Sequence, residues 1–268
     1  MRLESVDQIT QNYRHIYFQP HFDDAALSCG GAIKQESATG QRALVITVFG
    51  GLPPQDFVTS EFAASTHTSM ALPANAVRAV EARRAEDEAA LGLLGADTLW
   101  LEYLDAIYRG SPAYYQSNDA LFGAVASGDT QLDEELGVLV ATVAQRAPLA
   151  ALYAPLGAGH HVDHQLVCSA ADRLAQRKLN VKFYEDFPYV VRPGALEERQ
   201  RELAIPMEYE LAEISGQIRD KEEAIALYRS QVPDLFGTEE AMRQKLREYS
   251  ASLRRAYPGI LIERYWRW

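Results

Sequence analysis

The sequence predicts an α/β protein with a mostly parallel sheet, helices on both faces and an irregular C-terminal extension. Three observations carry this expectation. Short apolar runs rich in β-branched and aromatic residues alternate with longer helical patterns along the first two thirds of the chain. Those runs are continuously apolar instead of alternating, which marks strands buried on both faces. Beyond Asp186 the alternation weakens.

In chain order, the expected strands are Arg14–Gln19, Ala43–Phe49, Thr98–Tyr103, Leu149–Ala154 and Val181–Tyr184. Between them the sequence predicts helices over Ala26–Thr39, stopped by Gly40, and Val77–Leu94, stopped by Gly95. Two more follow at Leu132–Arg146 and Asp163–Lys178. Strand–helix–strand units of this kind build a parallel sheet. Two long segments, 51–75 and 106–120, read as loops, and both follow expected strands at the edge where open sheets bind ligands. The second carries Tyr108, Tyr114 and Tyr115. In the extension, helices are expected at Gln217–Ser230 and Glu239–Ala256, and the aromatic tail is expected to return as a strand. The organisation is one domain over residues 1–268, with a core at 1–186 and an extension at 187–268.

A chain of 268 residues is long enough for a large core. Its net charge of -11 leaves no general attraction for nucleic acid or anionic membrane, so neither is an expected partner. No apolar run approaches the roughly 18 residues of a membrane helix. The N-terminus has no signal-peptide core, and two cysteines make neither a disulfide framework nor a CxxC zinc site. The cytoplasm is the expected compartment. There is no GxGxxG fingerprint and no Walker A loop.

Chemistry concentrates in two stretches. "YFQPHFDDAALSCGGAI" places His21, Asp23 and Asp24 just past the first apolar strand, and "GAGHHVDHQLV" places His161, Asp163 and His164 past the fourth. Adjacent carboxylates repel, and burying either is costly unless it is paired or bound to a metal. If both strands are central, His21, Asp24 and His164 converge. Two imidazoles and one carboxylate with an open position form a common catalytic zinc set. Asp23 is then left free beside the water, to take its proton and deliver it to a leaving amine. His161, three residues before His164, shares its face if the turn is helical, and as an imidazolium would stabilise an oxyanion. Asp163 would orient an imidazole or cap the helix. His160 competes for the role of His161. Taken singly, each stretch also reads as an ordinary capped turn. His15 and His67 stand alone. Cys29 and Cys168 are expected to be packing residues, Gly30-Gly31 a close helix–sheet contact, and Ser28 has no base beside it.

"PHFDDAALSCGG" together with "HVDH" resembles the N-acetylglucosaminylphosphatidylinositol de-N-acetylase family, also called the LmbE-like or PIG-L deacetylases. "RRAEDEAALGLLGADTLWLEYLD" resembles the family's R-x-x-E helix, the strand after it and its closing Asp, and "KEEAIALYRSQ" its Lys…Ser-Gln helix. The resemblance implies a Rossmann-like α/β sandwich. It implies one zinc, or another divalent metal, on His21, Asp24 and His164, with Asp23 as base and His161 at the oxyanion. Arg83 and Asp105 are expected to bind substrate. The implied reaction is metal-dependent removal of an N-acetyl group from an amino sugar or its conjugate. The implied partner is thus a small N-acyl amino sugar or glycoconjugate, with room for a homo-oligomer. Phe22 and Ala25 replace the usual Pro and Glu of the first motif, which alters the floor of the site. The form "HFDDAALS" looks more like bacterial members linked to secondary metabolites. Two rival readings are an amidase for a larger acyl or cysteinyl group, its pocket shaped by the three tyrosines, and a sugar-binding module without hydrolysis.

Overall fold

The computed structural model describes residues 1–254 and 259–268. The elements run β1 (Arg2–Leu3), β2 (His15–Gln19), α1 (Asp24–Ala38), β3 (Ala43–Thr47), α2 (Glu61–Ser69), α3 (Ala76–Leu94), β4 (Asp97–Trp100), α4 (Asn118–Leu121) and α5 (Thr130–Arg146). They continue as β5 (Ala151–Pro155), α6 (Val162–Ala175), β6 (Val181–Tyr184), α7 (Ala195–Leu203), β7 (Glu208–Glu213), α8 (Ile218–Ala226), α9 (Gln231–Phe236), α10 (Glu239–Ser252) and β8 (Ile262–Arg267).

Among the described residues one eight-stranded sheet has the order β1-β4-β3-β2-β5-β6-β8-β7. Its first six strands are parallel, and β8 then β7 close one edge antiparallel. This is the expected mostly parallel α/β fold. Alternate residues of β2 serve opposite cores. Tyr17 packs with α1 and α3, whereas Ile16 and Phe18 pack with α5 and α6. Burial on both faces explains why the strand reads as an unbroken apolar run.

β2 pairs with β3 on one side and β5 on the other, with His15 opposite Ala151 and Tyr17 opposite Tyr153. The chain reverses its direction of winding between β2 and β5, so a crevice opens beyond their carboxyl ends. The two motif-bearing segments leave the sheet there, as the expectation of central strands requires.

The differences from the expected elements have physical causes. The strand expected at Thr98–Tyr103 ends at Trp100, because its partner β3 ends at Thr47, whose carbonyl accepts the last ladder bond from Leu101 N. Segments 51–75 and 106–120 are not plain loops. The first holds α2, capped by Ser60 accepting from Ala63 N, and the second holds α4, capped by Ser117 accepting from Ala120 N. The Gly30-Gly31 pair marks the expected close helix–sheet contact, made with the part of the sheet that the extension contributes and with α8. A Cβ on Gly30 would stand 3.1 Å from Lys221 of α8, and one on Gly31 2.6 Å from Ile214. Glu263 of β8 accepts from Gly31 N and Ala32 N while pairing with buried Lys221 at 2.7 Å. The aromatic tail does return as a strand. The helix expected at Gln217–Ser230 ends at Ala226, and α10 stops at Ser252, with Ala256 outside the described residues.

Candidate active site

His21 leaves the end of β2, and the chain reverses into α1 through Asp23, whose φ of 117° is uncommon for any residue but glycine. Holding such a conformation costs on the order of 1–3 kcal/mol, and strain of this kind gathers at functional sites. The turn aims Asp24 back at its own strand, where Oδ2 accepts from His21 N at 2.8 Å. The second motif leaves β5 through Gly157 and Gly159, both at positive φ, and enters α6.

The two motifs meet as expected. His21 Nε2 lies 2.8 Å from Asp163 Oδ2, which fixes the ring. His164 Nδ1 lies 2.6 Å from Asp186 Oδ1, which fixes the other. Each imidazole thereby presents its remaining nitrogen to one carboxylate, with His21 Nδ1 3.6 Å from Asp24 Oδ2 and His164 Nε2 3.4 Å from Asp24 Oδ1. His164 Nε2 is buried and has no hydrogen-bond partner. Two braced imidazoles turned onto a carboxylate, one with a buried nitrogen that has no partner, suit a divalent cation. His21, His161 and His164 also offer nitrogens that lie within 4.8 Å of one another, and His21, Asp105 and Asp163 form a second such group.

Charge in this pocket is set by burial and by the neighbouring charges together. Burial works against a proton on His164, but Asp24 and then Asp186 outweigh it and push its pKa up to about 9. Burial would raise Asp163, yet Arg109 and His21 hold it below the usual carboxylate range. Arg109 sits 2.6 Å from Asp163 and also pairs with Asp129 at 2.9 Å. Asp23 is pushed well up by burial and by neighbouring Asp24. Its side chain makes no hydrogen bond among the described residues and borders the cleft.

His161 differs from the expectation in two respects. It is the N-cap of α6, with φ -58° and ψ 129°, so the turn to His164 is not helical at its first residue. The rings nonetheless come together, with centroids 5.3 Å apart. Burial, and next His21, drive His161 towards the neutral form instead of an imidazolium. Its Nδ1 accepts from Asp163 N, so the neutral ring carries its proton on Nε2. Capping therefore falls to His161, and Asp163 takes the orienting role. His160 turns away to Glu202 at 3.2 Å.

Arg83 and Asp105 pair at 3.6 Å, and Arg83 Nη2 donates to Phe22 O at 3.0 Å. Both line a cleft of about 370 Å3 whose floor includes His21, Asp23, Asp24 and His161. Its walls come from α2, from the segment around Tyr108, and from Gln231, Asp234 and Leu235 of α9. Of the three tyrosines only Tyr108 lines the cleft. Tyr115 is buried on Asp129, and Tyr114 is partly exposed. His67 is no isolated histidine, since it lines the cleft and holds Tyr108 OH at 2.7 Å. Cys29 and Cys168 are free and buried, as expected of packing residues. Ser28 Oγ accepts from Phe187 N.

Asp186, Asp234 and Leu235 escaped the sequence reading, His67 was expected to stand alone, and Gln231 entered only as the end of the Lys…Ser-Gln segment. Asp186 nonetheless carried a signal. It follows an apolar strand, as the two motifs do.

Fold and site define a class of mostly parallel α/β proteins with a buried His–Asp cluster, able to hold a divalent metal, at the carboxyl edge of the sheet. Residues 16–175 match the family described as PIG-L: GlcNAc-PI de-N-acetylase, and the chain belongs to that family. It is similar to the 2'-N-acetylparomamine deacetylase of Niallia circulans, with 31% identity covering 84% of this chain and 82% of that protein. The 2'-N-acetylparomamine deacetylase of Streptomyces fradiae is 30% identical over 92% of this chain and 81% of its own length. Among solved structures, the zinc-inhibited form of a teicoplanin deacetylase superposes with a TM-score of 0.77 at 26% identity, covering 94% of this chain and 97% of its own. The chain is accordingly a hydrolase of the deacetylase type. Among the described residues no helix is long and apolar enough to cross a membrane.

Proposed function

We propose that the chain hydrolyses the acetamide of an N-acetylated amino sugar, or of its conjugate, with zinc held by His21, Asp24 and His164. The observation that carries this reading is the double bracing of His21 by Asp163 and of His164 by Asp186, which turns both rings onto Asp24 and leaves Asp23 free beside them. Zinc bound there would polarise the amide carbonyl and bring the pKa of a water towards roughly 7.

The protein's own groups do the rest. A cation held by Asp24 would offset the repulsion that raises Asp23 and leave it ionised. Asp23 then takes the proton of the attacking water, and the water oxygen bonds to the carbonyl carbon. His161 Nε2–H donates to the oxyanion as it forms, a role that needs no net charge on the ring. Asp23 then returns its proton to the sugar nitrogen as the C–N bond breaks, giving acetate and a free amine. Arg83 and Asp105 orient the sugar on the cleft wall. The wider frame of the proposal is a single domain over residues 1–268, supported by β7 and β8 joining the core sheet, and a cytoplasmic site of action, supported by two free cysteines.

The test follows acetate and amine release from N-acetylglucosamine conjugates after chelation and after return of zinc or another divalent ion. Loss with chelator and recovery with metal are expected, and activity untouched by complete metal removal would end the proposal. Because Tyr108 alone of the three tyrosines reaches the cleft, the pocket suggested for a bulkier acyl group loses most of its basis. A series of N-acyl glucosamines of increasing size is expected to be cleaved best at acetyl.

A further inference from the structure

The helix that carries the two motif carboxylates starts without a cap from its own N-cap residue. Asp23 holds that position in α1, where an aspartate side chain ordinarily accepts from the second or third amide of the helix. Here it makes no capping bond. The second amide, Ala25 N, donates instead to Gln19 Oε1 at 3.0 Å, and Gln19 is the last residue of β2. The bond is buried, so leaving that amide without an acceptor would be costly.

The Gln19 amide is held in the orientation this bond needs. Its Nε2 donates to Asp87 Oδ1 at 3.0 Å and to Thr47 Oγ1 at 2.8 Å, and all three side chains are fully buried. Asp87, on α3, also accepts from Trp100 Nε1 at 2.8 Å and from Tyr228 OH at 3.0 Å. Burial pushes its pKa up to about 6 against these donors, so near neutral pH it is mostly ionised. An ionised carboxylate can only accept, which turns Nε2 towards Asp87 and the amide oxygen towards Ala25. Trp100 at the end of β4 and Tyr228 just past α8 fix the carboxylate in turn. Gln19, Thr47, Asp87, Trp100 and Tyr228 do not line the cleft, so whatever they contribute passes through the turn.

We propose that Gln19 and Asp87 are positioning residues that cap α1 in place of Asp23 and thereby leave the Asp23 carboxylate free for the reaction. An aspartate that capped the helix would be bound to a backbone amide, and that bond would make it a weaker proton acceptor. The substitute cap removes the conflict between starting the helix and serving as the base. It also braces from inside the fold a turn that is strained at Asp23, where φ is 117°. The inference rests on the deacetylase reading above, in which Asp23 is the base.

The experiment uses the zinc-loaded full chain and an N-acetylglucosaminide, with kcat, KM and zinc content measured together. Gln19→Leu leaves Ala25 N without its acceptor, and Asp23 is then expected to take up the capping bond. A fall in kcat of about tenfold or more is expected, part of what the base itself supplies, with KM and zinc content unchanged. In the Asp23→Asn background the same change is expected to alter kcat less than about twofold, because the group it acts through is gone. Equal losses in both backgrounds, or wild-type kcat in Gln19→Leu, overturn the substitute cap and leave the deacetylase standing. Gln19→Glu combined with Asp87→Asn exchanges donor and acceptor while keeping an oxygen on Ala25 N. That pair is expected to return most of the turnover lost in Gln19→Leu, and a pair as slow as Gln19→Leu counts against the proposal. Asp23→Gly gives a reading that does not depend on how Gln19→Leu folds. Glycine adopts a φ of 117° without strain, so the denaturation midpoint is expected to hold or rise if Gln19 supplies the cap. A lower midpoint shows that Asp23 holds the start of α1 and overturns the proposal. Failure of the wild type to release acetate overturns the deacetylase reading, and the Asp23→Gly midpoint then still decides which residue caps α1.

Discussion

The floor and the walls of the cleft are built on different principles. The floor hangs from the ends of β2 and β5, two adjacent central strands in fixed register, and its side chains are buried and braced by carboxylates. The walls come from α2, α9 and the segment around Tyr108, and several of their polar groups are exposed, Ser65, Asn118 and Asp234 among them. A reacting centre needs geometry held to fractions of an ångström, and strands buried on both faces supply that rigidity. Recognition tolerates looser placement, and loops over a rigid scaffold are where it varies. Changes in the floor are therefore expected to act on kcat or on metal, and changes in the walls on KM or on stability.

The largest effect is expected at Asp23. Asp23→Asn keeps the shape of the turn but removes the group that takes and returns the proton. A fall in kcat of about two to four orders of magnitude is expected. Metal content measured by atomic absorption should stay near the wild-type level. A variant with wild-type turnover would take Asp23 out of the floor's chemistry.

Next comes His161, compared with its neighbour. His161→Ala removes one donor to the oxyanion, for which a loss of about two to three orders of magnitude in kcat is typical. His160→Ala is expected to change little, because that ring pairs with Glu202 away from the cleft. Parallel kcat measurements on the two variants check the assignment, and a reversed result would exchange their roles.

Much of the floor was legible in the sequence, and little of the walls. His21, Asp23 and Asp24 follow an apolar run, and so do His161, Asp163 and His164. That pattern shows where a parallel sheet delivers its side chains, whatever the details of the turns. Asp186 obeys the same logic after β6, and went unread only because a lone carboxylate after a strand resembles a turn residue. The walls depend on pairings that no local pattern encodes. His67 meets Tyr108 across 41 residues, and Glu86 meets Ser230 at the head of α9 across 144. The segment "EFAASTHTS" forms α2 without a broad apolar stripe, with its start signalled by the Ser60 cap. β7 escaped because it is an edge strand, "EYELAE", exposed along most of its length.

Asp186 tests whether the bracing belongs to the floor's function or only to its fold. Asp186→Asn can still accept from His164 Nδ1 but no longer makes the ring more basic. Replacing such supporting groups commonly costs about ten- to a hundredfold in metal affinity or activity. Competition against a fluorescent zinc chelator is expected to show that loss in affinity, with activity recovered at saturating metal. Equal zinc affinity in the two proteins would reduce Asp186 to a structural residue.

The smallest expected effect on turnover lies in the wall, at Tyr108. Its hydroxyl is 2.7 Å from His67 Nε2, and the His67 ring is buried with its Nδ1 already lacking a hydrogen bond. Tyr108→Phe keeps the aromatic surface against Phe57 but strips His67 of its hydrogen-bond partner. An unsatisfied buried polar group costs about 1–3 kcal/mol, so the denaturation midpoint is expected to fall accordingly. No floor residue contacts that hydroxyl by hydrogen bond, so kcat is expected to stay within about threefold of wild type, less than the tenfold that 1.4 kcal/mol would bring. KM is free to rise by a similar factor if the substrate uses the hydroxyl. A loss in kcat as large as that of His161→Ala, with the protein still folded, would show that the wall takes part in the chemistry and that the division between floor and wall is drawn in the wrong place.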